Sequence, residues 1–541
     1  MNAAEVLGAL LARRLLARAA EGSREAAGDA VRALVAAWAK GHTCLPIDEL
    51  ALCTERPDLE QELLSSGLVS TAPDADPRRP LVASRGRLYL RRFWRAETDL
   101  AKAIRARLAS DPPAFASRAL EVVGPEGRSP EDPQQQAVRR ILGSPLSIVT
   151  GGPGTGKTTT VARAVQALVL AWPDARIALT APTGKAKARL HEAVLAHLAR
   201  AGLLPPSTLT AATMHRLLGY LPQTGDFRAG PDRPLPFDLV VVDEASMIDL
   251  EMMAILCAAV PPEAGLALLG DVDQLASVES GRVLADLCEA GGRLSACRVR
   301  LARQYRFPDR GALSRFTAAM SECRTQDALA ALSRGGEDLT WSDLGRSAED
   351  LLAPFADRLR APRASLTQAL SALSRFCVLC ASHHGPFGAD ALNRAARRLC
   401  FPGAPCDRLL PGEPVLVTAN DHVQGLYNGD LGAAWPDDAG RMRIWFEGTD
   451  GPRGFPPERL PRHEPAWAMT VHKSQGSEFA EVLLVLPPQD MPLLTAPLLY
   501  TAVTRARERA HVAARASILE AAIRRRETRA SGLRDALAAG D

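Results

Sequence analysis

Gly151-Gly152-Pro153-Gly154-Thr155-Gly156-Lys157-Thr158 fits the phosphate-binding pattern G-x-x-x-x-G-K-[ST]. Its flanks decide the fold. Leu146-Ser147-Ile148-Val149-Thr150 is a short apolar run that predicts a buried strand, and Thr159 to Leu170 carries apolar residues at helical spacing. Strand, glycine-rich loop and helix together let backbone N–H groups wrap a phosphate at the positive end of a helix. In such a loop Gly152, Pro153, Gly154, Thr155 and Gly156 line the phosphates and Lys157 reaches the β/γ-phosphates. The Thr158 hydroxyl ligates Mg2+, and Thr159 continues the cradle. The chain is therefore expected to bind a nucleoside triphosphate with Mg2+.

Outward from the loop, apolar strand-like runs at Arg176–Thr180, Leu239–Val242 and Leu266–Leu269 alternate with helical patterns. That alternation predicts an α/β fold with a parallel sheet covered by helices. A second alternating region begins near Cys297 and resumes with Ala466–Thr470 and Glu481–Leu486. Between these lie short extended runs split by Asn-Gly-Asp and Gly turns, read as a small antiparallel barrel inserted over about 408–462. The expected division is a helical N-terminal domain (1–110), a first α/β core (111–295) and a second core (296–541). The Thr224-Gly225-Asp226 turn marks a small hairpin insertion at about 218–236.

At 541 residues the chain exceeds a single core, and its 47% hydrophobic content is that of a globular protein. A net charge of +3 excludes recognition of a polyanion by bulk charge, so any basic track is local. Of 65 basic residues only six are lysine, at 40, 102, 157, 185, 187 and 473, and four of these lie inside motifs. Lysine and arginine are not interchangeable in a shaped site, so the retained lysines are site candidates. None has Glu or Asp two residues before it, so a carboxylate-lysine nuclease pair is not expected.

The ten cysteines are scattered, as in a reducing compartment. Cys377, Cys380, Cys400 and Cys406 are read either as a zinc set or as small buried hydrophobes. The Arg-rich first twenty residues are read as an ordinary first helix rather than a transit segment. No apolar run reaches the ~18–20 residues that span a bilayer. A cytoplasmic, membrane-free protein is expected.

Strand Leu239–Val242 ends in Asp243-Glu244, where a carboxylate can reach the Mg2+ of a neighbouring phosphate loop. Asp243 suits that role, leaving Glu244 to polarise the attacking water. The next strand ends in Gly270-Asp271-Val272-Asp273-Gln274, which places Gln274 to sense the γ-phosphate.

The order GGPGTGKTTT, APTGKAKARL, TMHRLLG, VVDEASMID, GDVDQLASV, RQYRF, MTVHKSQGSEF and YTAVTRAR resembles the motif series of superfamily 1 helicases, and within them the RecD family. The likeness runs from about Gln134 to Arg507, and the stretch Arg87 to Glu97 extends it forward. It implies two RecA-like parallel-sheet motor domains with a helical N-terminal domain and an inserted SH3-like barrel. It further implies an ATP-driven 5′→3′ DNA helicase, one subunit of a complex with RecB-like and RecC-like partners that acts on single-stranded and duplex-end DNA. A stand-alone helicase and an ATP-gated structural subunit are the alternatives.

By the same resemblance Gln134 reads adenine, Tyr305 stacks on it, Arg306 reaches the γ-phosphate, Glu478 borders the nucleotide and Arg505 is an arginine finger. The implied DNA contacts are Thr183, Lys185, His215, Thr470 and His472. Packing roles stay open for His215 and His472, as does the role of Lys187. The basic run Arg505–Arg534 is read as a solvated helix face rather than a DNA track.

Overall fold

The computed structural model describes residues 3–17, 19–71, 76–124, 132–305, 311–360, 364–405, 408–421, 424–448 and 451–538. Arg306 and Cys406 lie outside them. Two all-parallel sheets form the body. The first runs Arg298–Arg300, Leu146–Thr150, Gly265–Gly270, Leu239–Val242, Ile177–Ala181, Leu209–Thr213 from edge to edge. Its four inner strands are buried along their whole length because helices cover both faces, and this is why they read as continuous apolar runs. Alternate side chains divide between two cores. Ile148, Val240, Val242, Leu266 and Leu268 enter one, and Val149, Leu179, Val241, Ala267 and Leu269 the other.

The second sheet runs Leu339–Ser342, Ala506–Ala513, Phe479–Val485, Phe376–Cys380, Ala468–Thr470, again all parallel. The expected α/β class with two RecA-like parallel-sheet units therefore holds. The partly exposed edge strand Leu209–Thr213 and the run Ala506–Ala513 carry weak apolar signals and were not legible as strands.

The region read as a barrel is a five-stranded antiparallel sheet ordered Arg453–Phe455, Met442–Phe446, Leu431–Pro436, Pro414–Val417, His463–Pro465. Its last strand passes the expected end at 462 because Val415 pairs with Pro465. The expected hairpin is present as Tyr220–Leu221 paired with Asp226–Phe227.

Two sequence readings need correction, and one open alternative is decided. The N-terminal region is not purely helical: beside its helices lies a four-stranded sheet, Cys44–Pro46, Arg87–Leu90, Leu81–Ser84, Val69–Thr71. These strands are only three or four residues long, too short for a periodicity signal. Cys377 and Cys380 cannot share a metal, since residues three apart in a strand face opposite ways and the two pack in different cores.

Only part of the basic C-terminal run is a solvated helix face, Ala516–Arg524 with its exposed Arg524. The run enters the second sheet as Ala506–Ala513, and its end returns to the N-terminal region. There the buried Glu97 carboxylate accepts Thr43 Oγ1 at 2.6 Å, Gly532 N at 3.1 Å and Ser531 Oγ at 3.2 Å. Arg529 Nη1 donates to the Glu279 and Gly281 carbonyls at 2.8 and 3.0 Å. Buried Arg107 ties the N-terminal helix Arg91–Ala109 to the first core through the carbonyls of Ala264 (2.6 Å) and Val260 (2.7 Å). A guanidinium with its five N–H groups suits such carbonyl-rich loop ends.

Candidate functional site

Strand Leu146–Thr150 ends where Gly151 N donates to Gly270 O of the adjacent strand, 3.2 Å away. The loop then turns on Gly154 and Gly156, whose φ of 78° and 87° are left-handed and cost a side-chain-bearing residue about 1–2 kcal/mol. A Cβ on Gly156 would stand 2.3 Å from Gln134 Nε2, which itself donates to Thr155 O at 3.2 Å. Gln134 is positioned by Asp132, whose carboxylate caps the helix Pro133–Gly143. Helix Lys157–Ala171 starts directly after Gly156, and Lys157 Nζ curls back onto the carbonyls of Gly151 (2.5 Å) and Gly152 (3.1 Å).

Opposite the loop stands Asp243, held by Asp243 N donating to Thr180 O at 2.9 Å. Its carboxyl is raised above the usual range by burial and by Glu244, and lowered in part by Lys157. Glu244 occupies the left-handed region at φ 53°, uncommon for a residue with a side chain and a form of strain that clusters at functional sites. Its N–H donates to Asp243 Oδ1 at 2.9 Å, so the strained turn fixes one carboxylate relative to the other.

The third strand end carries Asp271, 1% exposed, accepting from Gln274 Nε2 and from Tyr500 OH, both at 3.1 Å. Gln274 Oε1 in turn accepts Arg505 Nη2 at 2.8 Å. Arg505 is 2% exposed and braced by the Thr501 and Ser477 carbonyls, all from the second core. Two further bonds join the cores here: Leu275 N to Thr501 Oγ1 at 2.8 Å and Gln475 Nε2 to Leu275 O at 3.2 Å.

Burial pushes the Asp271 carboxyl up to about 6. Its folded-state value is thus raised above the ordinary 3.8, so the folded chain keeps a proton the unfolded chain has lost. This group therefore costs stability as pH rises from about 4 to about 6, on the order of 3 kcal/mol once fully ionised. Asp271→Asn is expected to flatten that part of the pH profile of Tm.

The structure brings the predicted nucleotide residues to one cleft of about 630 Å³. Gln134, Gly152 to Gly154, Gly156 to Thr159, Asp243, Glu244, Gln274, Tyr305, Glu478 and Arg505 all border it; Thr155 does not, being buried with its hydroxyl donating to Gly152 O at 2.8 Å. Tyr305 is 56% exposed at its mouth, its N–H bonded to Gly154 O at 2.8 Å.

Two residues were missed. Arg189 reaches across the cleft to Glu478 Oε1 at 2.9 Å. Its signal was the i,i+4 spacing from Lys185 on helix Gly184–Arg200. Tyr500 presses against the loop itself, a Cβ on Gly152 standing 2.7 Å from its hydroxyl, and local sequence carried no sign of that contact.

The residues implied as DNA contacts fall in three places. Thr183 caps helix Gly184–Arg200 by accepting from Ala186 N at 3.2 Å. Lys185 Nζ donates to Ser477 Oγ of the second core at 3.1 Å, and burial followed by Arg189 lowers its pKa. His215 is exposed, its ring 5.4 Å from Tyr220 and 6.0 Å from Phe227 of the hairpin. Thr470 ends the edge strand of the second sheet, and His472 is exposed in the turn after it. Among the described residues no helix is long and apolar enough to cross a membrane.

Comparison with known proteins bears on this arrangement. Residues 134–280 match the family model of an AAA domain and residues 465–513 that of the UvrD-like helicase C-terminal domain. The chain is similar to the RecBCD enzyme subunit RecD of Mycolicibacterium smegmatis, with 40% identity over 94% of this chain and 93% of that protein. RecBCD enzyme subunit RecD of Haemophilus influenzae is 32% identical, over 87% of this chain and 83% of that protein. The ATP-dependent RecD2 DNA helicase of Deinococcus radiodurans is 34% identical, over 83% of this chain and 58% of that protein.

Proposed function

The chain belongs to the RecD family of superfamily 1 helicases, and from that premise we propose that it is the 5′→3′ motor subunit of a RecBCD-type complex. It is an ATP-hydrolysing DNA helicase of recombination repair. Its partners in this proposal are single-stranded and duplex-end DNA and RecB-like and RecC-like subunits, the latter docking on residues 1–110. The inserted antiparallel sheet serves as an SH3-like arm of the second motor domain.

The observation that carries this reading is the Arg505–Gln274 bond at 2.8 Å, which makes the nucleotide cleft the joint between the two sheets. Gln134 and Tyr305 hold the base, and the loop N–H groups with Lys157 hold the phosphates. Thr158 and Asp243 would hold Mg2+, which neutralises phosphate charge; the raised carboxyl of Asp243 fits a site that a cation relieves. Glu244 orients and deprotonates the attacking water. Gln274 senses the γ-phosphate, and Arg505 brings positive charge to the transferring group from the second core. Arg306, outside the described residues, stays a family-implied second arginine.

Loss of the γ-phosphate changes what Gln274 and Arg505 bind, and so changes the fit of the two sheets. Thr183 and Lys185 on the first core and Thr470 and His472 on the second grip DNA phosphates without reading sequence, and His215 adds a contact beside the hairpin. Opening one base-pair step costs about 1.4 kcal/mol, well within one ATP-driven closure.

The test is unwinding of forked duplexes bearing only a 5′ or only a 3′ tail, with the neighbouring subunits co-expressed and RecB-type ATPase disabled. Unwinding of the 5′-tailed fork is expected. Unwinding confined to the 3′-tailed fork overturns the polarity, and ATP hydrolysis without unwinding of either overturns the motor role.

A further inference from the structure

After strand Phe376–Cys380 the chain makes a tight loop before helix Ala389–Cys400. Ala389 N donates to Ser382 O and Asp390 N to His383 O, both at 3.1 Å. A Cβ on Gly388 would stand 2.4 Å from His384 O, so the loop closes this tightly only on glycine. Closure brings two imidazoles to one carboxylate oxygen. His383 Nδ1 and His384 Nδ1 lie 3.2 and 2.9 Å from Asp390 Oδ2, and ligand atoms of all three residues fall within 4.8 Å of one another.

Two of the three edges, 3.2 and 2.9 Å, fit a coordination shell, the second being a hydrogen bond when no ion is bound. Nitrogen and oxygen ligands about 2.0–2.1 Å from a tetrahedral zinc stand about 3.3 Å from each other. His383 Nδ1 is buried and makes no hydrogen bond, its approach to Asp390 lacking the alignment of one. The other nitrogen, Nε2, lies 3.3 Å from Glu464 Oε2, and Glu464 Oε1 accepts Lys473 Nζ at 2.6 Å. A metal-bound histidine characteristically hands its second N–H to a carboxylate that sets its tautomer and orientation. Glu464 is placed for that task, and Lys473, one of six lysines in the chain, holds Glu464.

We propose that His383 Nδ1, His384 Nδ1 and Asp390 Oδ2 bind a divalent transition-metal ion of the zinc class, with Glu464 as the orienting carboxylate. Two imidazoles and one carboxylate suit such an ion better than Mg2+ or Ca2+, which prefer all-oxygen sets. The largely exposed His384 leaves the solvent side open for water to complete the shell. The ion is a staple. It joins the loop at the end of one sheet strand to strand His463–Pro465 of the insert and, through Lys473, to the turn His472–Ser474.

The test uses the full chain, stripped with a chelator, dialysed and titrated with Zn2+ in excess Mg2+, with bound zinc counted per chain. One tightly bound zinc is expected, lost in His384→Ala and in Asp390→Asn, and bound about 10–100-fold more weakly in Glu464→Gln. Because His384 is at the surface, His384→Ala should keep the metal-free Tm while losing its zinc-dependent rise. Absence of stoichiometric zinc in the unaltered chain overturns the proposal. So does binding of equal number and strength in His384→Ala and Asp390→Asn.

Discussion

Lys157→Gln is expected to lower ATP turnover by about 10³-fold or more and to abolish unwinding, with single-strand DNA affinity at fixed salt unchanged. The ammonium is the one full positive charge that the first core's phosphate loop brings to the cleft, and removing a preorganised charge from a developing phosphoryl anion carries a penalty of that size. The fold should survive, since the bonds lost are two donations to the Gly151 and Gly152 carbonyls on a partly exposed loop. An ATPase assay beside a DNA-binding isotherm checks both halves. Turnover retained in the variant would sink the assignment of the loop.

Arg505→Ala is expected to lower kcat by about 10³–10⁵-fold, the range of arginine fingers in phosphoryl transfer, with little change in KM. It should also cost stability, because the Thr501 and Ser477 carbonyls and Gln274 Oε1 lose a buried donor, about 1–3 kcal/mol for each group left unmatched. Arg505→Lys separates the two effects. A single ammonium restores charge and part of the Tm but cannot bond Gln274 and two carbonyls at once, so turnover stays low. Coupled with Gln274→Ala, the loss should be less than additive, as for residues in one network. An Arg505→Ala chain that hydrolyses ATP at the original rate would remove the second core from the chemistry.

Much of the nucleotide site is legible in the sequence. The phosphate loop is a contiguous segment whose geometry follows from glycine freedom and a helix start, and the inner strands announce themselves by being apolar on both faces. The edges are not. Leu209–Thr213 pairs on one side only and exposes part of its length, and the N-terminal strands are too short for a period to register. Cys377 and Cys380 show the hazard of spacing without context, since a metal-like interval inside a strand sends the thiols to opposite cores. The terminal arginines did mislead. Charge reads as solvated surface in a window of sequence, whereas Arg529 spends its N–H groups on loop carbonyls far back in the chain.

By itself the sequence determined that this protein has two α/β units, a nucleotide loop in the first, and the identity of nearly every side chain that borders the cleft. Tertiary structure alone decided that Arg505 meets Gln274, that Arg189 spans to Glu478 and that Tyr500 seats on Asp271 beside the loop. The physical reason is one of range. Periodicity and turn chemistry are set by neighbours a few residues apart, while these contacts join residues more than 200 positions apart, and they arise only because strand ends of two separate sheets face each other across one cleft.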